Sequence, residues 1–186
     1  MGRVLCGSWR HDPPTPALTR QELEAVAPLL TGSGAAALGW HVIGQLPALA
    51  DQPAAVVMRD AARHSAMLDM LREAALQRLV TCFNDAGVDL LLFKGWAVAR
   101  RYAESRLRPY GDFDLLTRPE QADAAHRLLR QLAGDTGPTS NSNIYMLPSG
   151  NRGPAAAIDL HTTLPACYAA PVEPLFERAE RVILAN

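Results

Sequence analysis

A chain of 186 residues and 20.1 kDa has room for one domain, or for a modest core with a helical appendage. Its apolar share of 48% and charged share of 20% exclude wholesale disorder. Eighteen Lys+Arg against nineteen Asp+Glu leave a net charge of -1, without the basic excess that a sequence-independent grip on long nucleic acid requires.

Residues 1–19 read as a flexible lead-in, because the prolines of His11-Asp-Pro-Pro-Thr-Pro16 remove donors and fix φ. Met1 to Arg10 lacks the apolar stretch of a signal peptide, and no apolar run approaches the roughly 20 residues needed to span a bilayer. The expectation is a cytoplasmic chain with no membrane association. A helical region follows over 20–86. Leu23, Val26 and Leu30 recur at helical spacing after Thr19, Thr31-Gly-Ser-Gly34 stops that helix, and 35–46 offers a second. The glycines 32, 34 and 39 are spaced as a helix–helix connection rather than as a dinucleotide fingerprint. Asp51-Gln-Pro53 opens a long helix, with Asp51 as N-cap and Gly87 as the left-handed stop beyond Asp85. Its expected core stripe is Leu68, Leu71, Ala75, Leu79 and Cys82, flanked by Met67, Met70 and Ala74.

The texture changes at 87–165. Residues 88–93 form an apolar run that reads as a buried strand, Lys94-Gly95 breaks it, and 96–104 is helical in character. Asp112-Phe-Asp-Leu-Leu116 is a second strand, and Thr117-Arg-Pro-Glu120 has the form of a capping box for a helix marked by Ala122, Ala125, Leu129 and Leu132. Residues 144–147 and 155–161, joined by a Pro- and Gly-containing turn, suggest a hairpin, and 166–186 ends in a C-terminal helix. Helices first, then strands alternating with helices, predict an α+β or α/β core behind a helical N-terminal region.

Side chains alternate across a strand, so Asp112 and Asp114 project to one face, where paired carboxylates suit magnesium or manganese. The triplet alone is weak: with eleven Asp in the chain, about 0.6 such D-x-D spacings arise by chance, and two solvated carboxylates are an equal reading. Asp159 adds a third carboxylate inside another apolar strand, where an unpaired charge is costly; a salt bridge, for instance to Arg152, is the alternative. Gly95 permits close backbone approach between a strand and a helix N-terminus, and Arg100, Arg101, Arg106 and Arg108 supply guanidinium groups that match phosphate. Three odd, widely spaced cysteines (Cys6, Cys82, Cys167) fit neither a disulfide framework nor structural zinc.

Four separated pieces in order, Leu91-Leu-Phe-Lys-Gly-Trp-Ala-Val-Ala-Arg-Arg-Tyr102, Arg106-Leu-Arg-Pro-Tyr-Gly-Asp-Phe-Asp-Leu-Leu116, Pro119-Glu120 and Ile158-Asp-Leu-His161, make a stronger signal. Together they resemble the uncharacterised nucleotidyltransferase family of the polymerase-β-like superfamily. The resemblance implies a minimal nucleotidyltransferase fold, a short mixed sheet flanked by helices. It also implies Asp112, Asp114 and Asp159 as catalytic metal ligands and Lys94 and Gly95 as the phosphate-contacting turn; Arg106 and Arg108 join these two as nucleotide-binding candidates through their match to phosphate. The activity so implied is Mg²⁺- or Mn²⁺-dependent transfer of a nucleoside monophosphate from an NTP such as ATP to a hydroxyl, with release of pyrophosphate. A small molecule, peptide or protein is favoured as acceptor over nucleic acid, and a protein partner that completes the site is among the expectations. A module that binds NTP without turnover, and a transferase directed at tRNA, are the alternatives. His161 reads as a packed imidazole, with a group that supports a metal ligand as the alternative.

Overall fold

The computed structural model describes residues 1–134, 143–148, 156–164, 171–182 and 184. The chain falls into two compact units, one of Met1–Met70 with Ala97–Tyr110 and one of Leu71–Trp96 with Gly111–Asn186. It is α+β, with eight α-helices and one four-stranded mixed sheet among the described residues. No described helix is long and apolar enough to cross a membrane.

The first unit is helical. It holds α1 (Gly2–Leu5), α2 (Arg20–Gly32), α3 (Ala36–Ile43), α4 (Pro47–Ala50) and the first part of α5 (Pro53–Asp85). Within the expected lead-in, α1 places Val4 in the core beside Leu23, Leu30, Ile43 and Met58, each at most 1% exposed. Burying each of these large side chains contributes about 1.5–3 kcal/mol. Gly39 belongs to this packing: a Cβ there would come within 2.9 Å of a Leu30 methyl. Helix α2 starts as a reciprocal cap, the Thr19 hydroxyl accepting from the Glu22 N–H and the Glu22 carboxylate accepting from the Thr19 N–H. The Thr19 N–H bond is the main reason that the Glu22 carboxyl sits at about 2, followed by the Thr19 hydroxyl and Arg3. A carboxyl lowered in the folded state stabilises above its ordinary value, and that contribution disappears as pH falls from about 4.5 through about 2. Thr19→Ala is expected to cost about 1 kcal/mol and to make the acid limb of stability shallower by the lesser share that the hydroxyl contributes, since the backbone N–H remains; thermal unfolding measured between pH 2 and 6 checks both.

Several expected boundaries shift. The position before Pro53 is Gln52, while Asp51 ends α4, so Asp51 does not cap α5. The buried positions of α5 in its second part are Ala75, Leu76, Leu79 and Phe83, and Met70 is 72% exposed, which moves the core stripe off Leu68 and Cys82. Gly87 does take a left-handed φ of 66° after Asp85. Helix α6 (Gly95–Ala99) is shorter than expected because the Ala103 N–H bonds to the Trp9 carbonyl instead of continuing the helix; residues 105–107 form a separate 3₁₀ turn.

The second unit contains the sheet, in order β1-β2-β4-β3: β1 (Leu91–Phe93), β2 (Asp112–Leu116), β3 (Ile144–Leu147) and β4 (Ala156–His161). The outer pairs β1–β2 and β3–β4 are antiparallel, and β2–β4 is parallel, reached through α7 (Ala122–Ala133). The hairpin of β3 and β4 stands as expected; its turn, residues 149–155, lies outside the described residues, as does Cys167. One sheet face presents Phe113, Leu115, Tyr145, Ile158 and Leu160, each at most 1% exposed, to the core. The expected capping box at Thr117 is absent: its hydroxyl donates to the Asp89 carbonyl and its N–H to the His161 carbonyl, while α7 follows a 3₁₀ turn over Pro119–Gln121. A last helix, α8 (Glu173–Arg178), is held by Arg118, which bonds Asp89 and Glu173 and lies over the Phe176 ring.

Candidate functional site

Strand alternation and register together build the site. On the face opposite the core, β2 carries Asp112, Asp114 and Leu116, β4 carries Ala157, Asp159 and His161, and β1 carries Leu91 and Phe93. The parallel register sets Asp114 beside Asp159 and Leu116 beside His161. Adjacent strands lie about 4.8 Å apart, so residues distant in sequence become neighbours. One oxygen from each of Asp114 and Asp159 and one His161 ring nitrogen lie within 4.8 Å of one another.

Asp114 is buried, its side chain 7% exposed, and that is costly for a carboxylate without compensation. The Lys94 ammonium supplies it, donating to Asp114 Oδ1 at 2.8 Å. This bond, opposed by partial burial and aided by the charges of Asp114, Asp159 and Asp112, holds the Lys94 amine above its ordinary value. Lys94 has a φ of 56°, the one non-glycine residue with positive φ among those described. Such a conformation costs about 1–2 kcal/mol in an L-residue. Its ammonium also lies 5.0 Å from the Phe93 ring centre. Trp96, just beyond Gly95, fixes this turn by donating from Nε1 to Glu73 at 3.0 Å.

His161 meets the Phe93 ring edge-on at 5.1 Å. Its Nε2 is shielded from solvent and lies 3.1 Å from Asp159 Oδ2 and 3.4 Å from Asp114 Oδ1, yet has hydrogen-bond geometry to neither. A nitrogen and two carboxylate oxygens converging without an aligned bond are a donor set that a divalent cation fits: the carboxylates suit Mg²⁺ or Mn²⁺, and the imidazole adds a borderline ligand. His161 is thus packed against Phe93, as expected, and also turns a ring nitrogen toward the two carboxylates. The signal was present in the sequence, since Asp159 and His161 have the same i, i+2 spacing as Asp112 and Asp114.

The other candidates are distributed differently. Asp112 is exposed at the start of β2 and is not part of the three-atom group. Gly95 opens α6, a helix of five residues. Arg106 and Arg108 belong to the first unit, where Arg106 pairs with Glu104 and Arg108 follows the 3₁₀ turn. Arg152, the alternative partner for Asp159, lies outside the described residues.

No curated protein and no solved structure matches the chain. The family model of an uncharacterised nucleotidyltransferase matches residues 20–184, which include every strand of the sheet and all three clustered side chains. The chain therefore belongs to the uncharacterised nucleotidyltransferase family.

Proposed function

We propose that the protein transfers a nucleoside monophosphate from an NTP to a hydroxyl-type acceptor, a small molecule, peptide or protein, and releases pyrophosphate. The observation that carries this reading is the convergence of Asp114, Asp159 and His161 on one sheet face within a nucleotidyltransferase family match. In the proposal these three residues, with Asp112 extending the anionic edge, hold Mg²⁺ or Mn²⁺. When bound, such an ion stabilises charge on the entering and leaving oxygens of an in-line displacement.

The remaining work falls to side chains. The acceptor oxygen forms a bond to the α-phosphorus as the bond to the β-phosphate oxygen breaks, and pyrophosphate departs with that electron pair. Asp159, whose side chain is 29% exposed against 7% for Asp114, is the more accessible of the two clustered carboxylates and takes the hydroxyl proton at a carboxylate oxygen. Lys94 is half-exposed and offers its ammonium to phosphate oxygens. Gly95 keeps the adjacent backbone open to them. Catalysis on this scheme is positioning and charge stabilisation.

Incubation with labelled ATP, GTP, CTP and UTP, Mg²⁺ or Mn²⁺, and pools of small-molecule, peptide and tRNA acceptors tests the reading. The expected result is pyrophosphate release with label on a small molecule or polypeptide, lost in Asp112→Ala. NTP binding without turnover over the whole pool identifies a degenerate module, and label on tRNA moves the acceptor to nucleic acid; either overturns the proposal.

A further inference from the structure

The carboxylate-bearing face of the sheet continues, past Asp114 and His161, into an apolar cavity of about 460 Å³ lined by Leu91, Phe93, Leu116, Leu164, Leu175 and Arg178. Leu91, Phe93 and Leu116 belong to the same face as the acids by alternation and register. Phe93 is common to both: its ring lines the cavity and also touches His161 and Lys94. The cavity therefore begins one side chain away from the cluster. Along β2, Leu116 is two residues beyond Asp114, about 7 Å. The far wall comes from Leu164 and from Leu175 and Arg178 of α8, the helix fixed by Arg118.

Resting on the proposed nucleotidyl transfer, we infer that this cavity receives the nucleobase of the donor NTP. The group joined to the α-phosphate through one pentose is the base, and the cavity shares Phe93 with His161 and with Lys94, the proposed phosphate partner. Its volume falls in the range of small-ligand pockets, which are mostly apolar with a few placed polar groups. Phe93 and the leucines offer a surface for a flat heterocycle. The Arg178 guanidinium, braced by its Nε bond to the Pro174 carbonyl at 3.0 Å, supplies donors to the polar edge of a base. The acceptor, which must approach the phosphorus from the side opposite the pyrophosphate, is left to the remainder of the face beyond Asp112.

Two probes separate base from phosphate. Calorimetry of the full chain with Mg²⁺ compares inorganic tripolyphosphate with ATP, GTP, CTP and UTP. At least one NTP is expected to bind about tenfold or more tightly than tripolyphosphate, the gain that stacking one base supplies. Leu175→Trp, which fills the cavity from α8, is expected to abolish that gain and leave tripolyphosphate affinity unchanged; Leu164→Trp, on a different segment, should do the same, with circular dichroism confirming the fold of each. If both variants retain the wild-type preference for NTP over tripolyphosphate, the cavity does not hold the base and the inference falls, while the transferase reading stands. If both retain NTP affinity but lose transfer, the cavity belongs to the acceptor, and the inference falls again. If wild-type protein binds neither tripolyphosphate nor any NTP, the transferase reading fails first and the inference with it.

Discussion

Asp114→Asn and Asp159→Asn should each reduce nucleotidyl transfer by at least about 10²–10³-fold, the loss expected when one preorganised group acting on developing charge is removed. Both should also abolish binding of Mn²⁺ in the absence of nucleotide, read by electron paramagnetic resonance. Asp114 and Asp159 are register partners on parallel strands and share the donor group with His161, so either substitution leaves one carboxylate and one imidazole. Asp112→Asn separates the two readouts: Asp112 is outside that group, so nucleotide-free Mn²⁺ should still bind while transfer falls. Stability should barely change in Asp114→Asn. The amide fills the same space and carries no charge to be compensated at that buried position, and the freed Lys94 ammonium, about half-exposed, is solvated by water. Unchanged turnover in either of the first two variants, with the fold intact, would remove the metal site from the scheme.

How far the sequence reaches is clear from these strands. The bounds of β2 and β3 follow directly from short apolar runs between turn residues, and the facing of Asp112 and Asp114 follows from alternation. β1 is harder. Of the expected 88–93 only Leu91–Phe93 pairs, because the Val88 N–H closes the end of α5 on Phe83 and the Asp89 N–H bonds the Gln121 side chain. Thr117 looks like a cap because Glu120 stands three positions on, but a tertiary bond to the Asp89 carbonyl outcompetes the local one. The β2–β4 register is what local pattern cannot express. It depends on a crossover through α7 and β3, and it alone sets Asp159 and His161 beside Asp114. Burial then ranks the acids, with Asp114 inside and Asp112 at the strand's exposed start, an order that their equal spacing in the sequence hides.

Replacing Lys94 should move two affinities in opposite directions. In the free protein its ammonium occupies Asp114 Oδ1, so a divalent cation arriving alone competes with a tethered positive charge. Two unit charges 4 Å apart interact by about 1 kcal/mol at the dielectric of water, and Lys94 is half-exposed, so Lys94→Ala should bind Mn²⁺ alone about fivefold more tightly. The same variant should bind the Mn²⁺–NTP complex less tightly, because the ammonium that the ion displaces from Asp114 is the one offered to phosphate. A purely structural role would weaken both affinities. Lys94→Gly extends the comparison: it removes the charge and also relieves the left-handed φ of 56°, so it should match Lys94→Ala in both affinities while being the more stable of the two. These effects should be flat from pH 6 to 9. The amine is raised above its ordinary 10.5, remains charged throughout that range, and loses its contribution to stability only as pH rises through its folded value. Parallel weakening of metal and nucleotide binding in both variants would show that Lys94 braces the turn rather than exchanging partners.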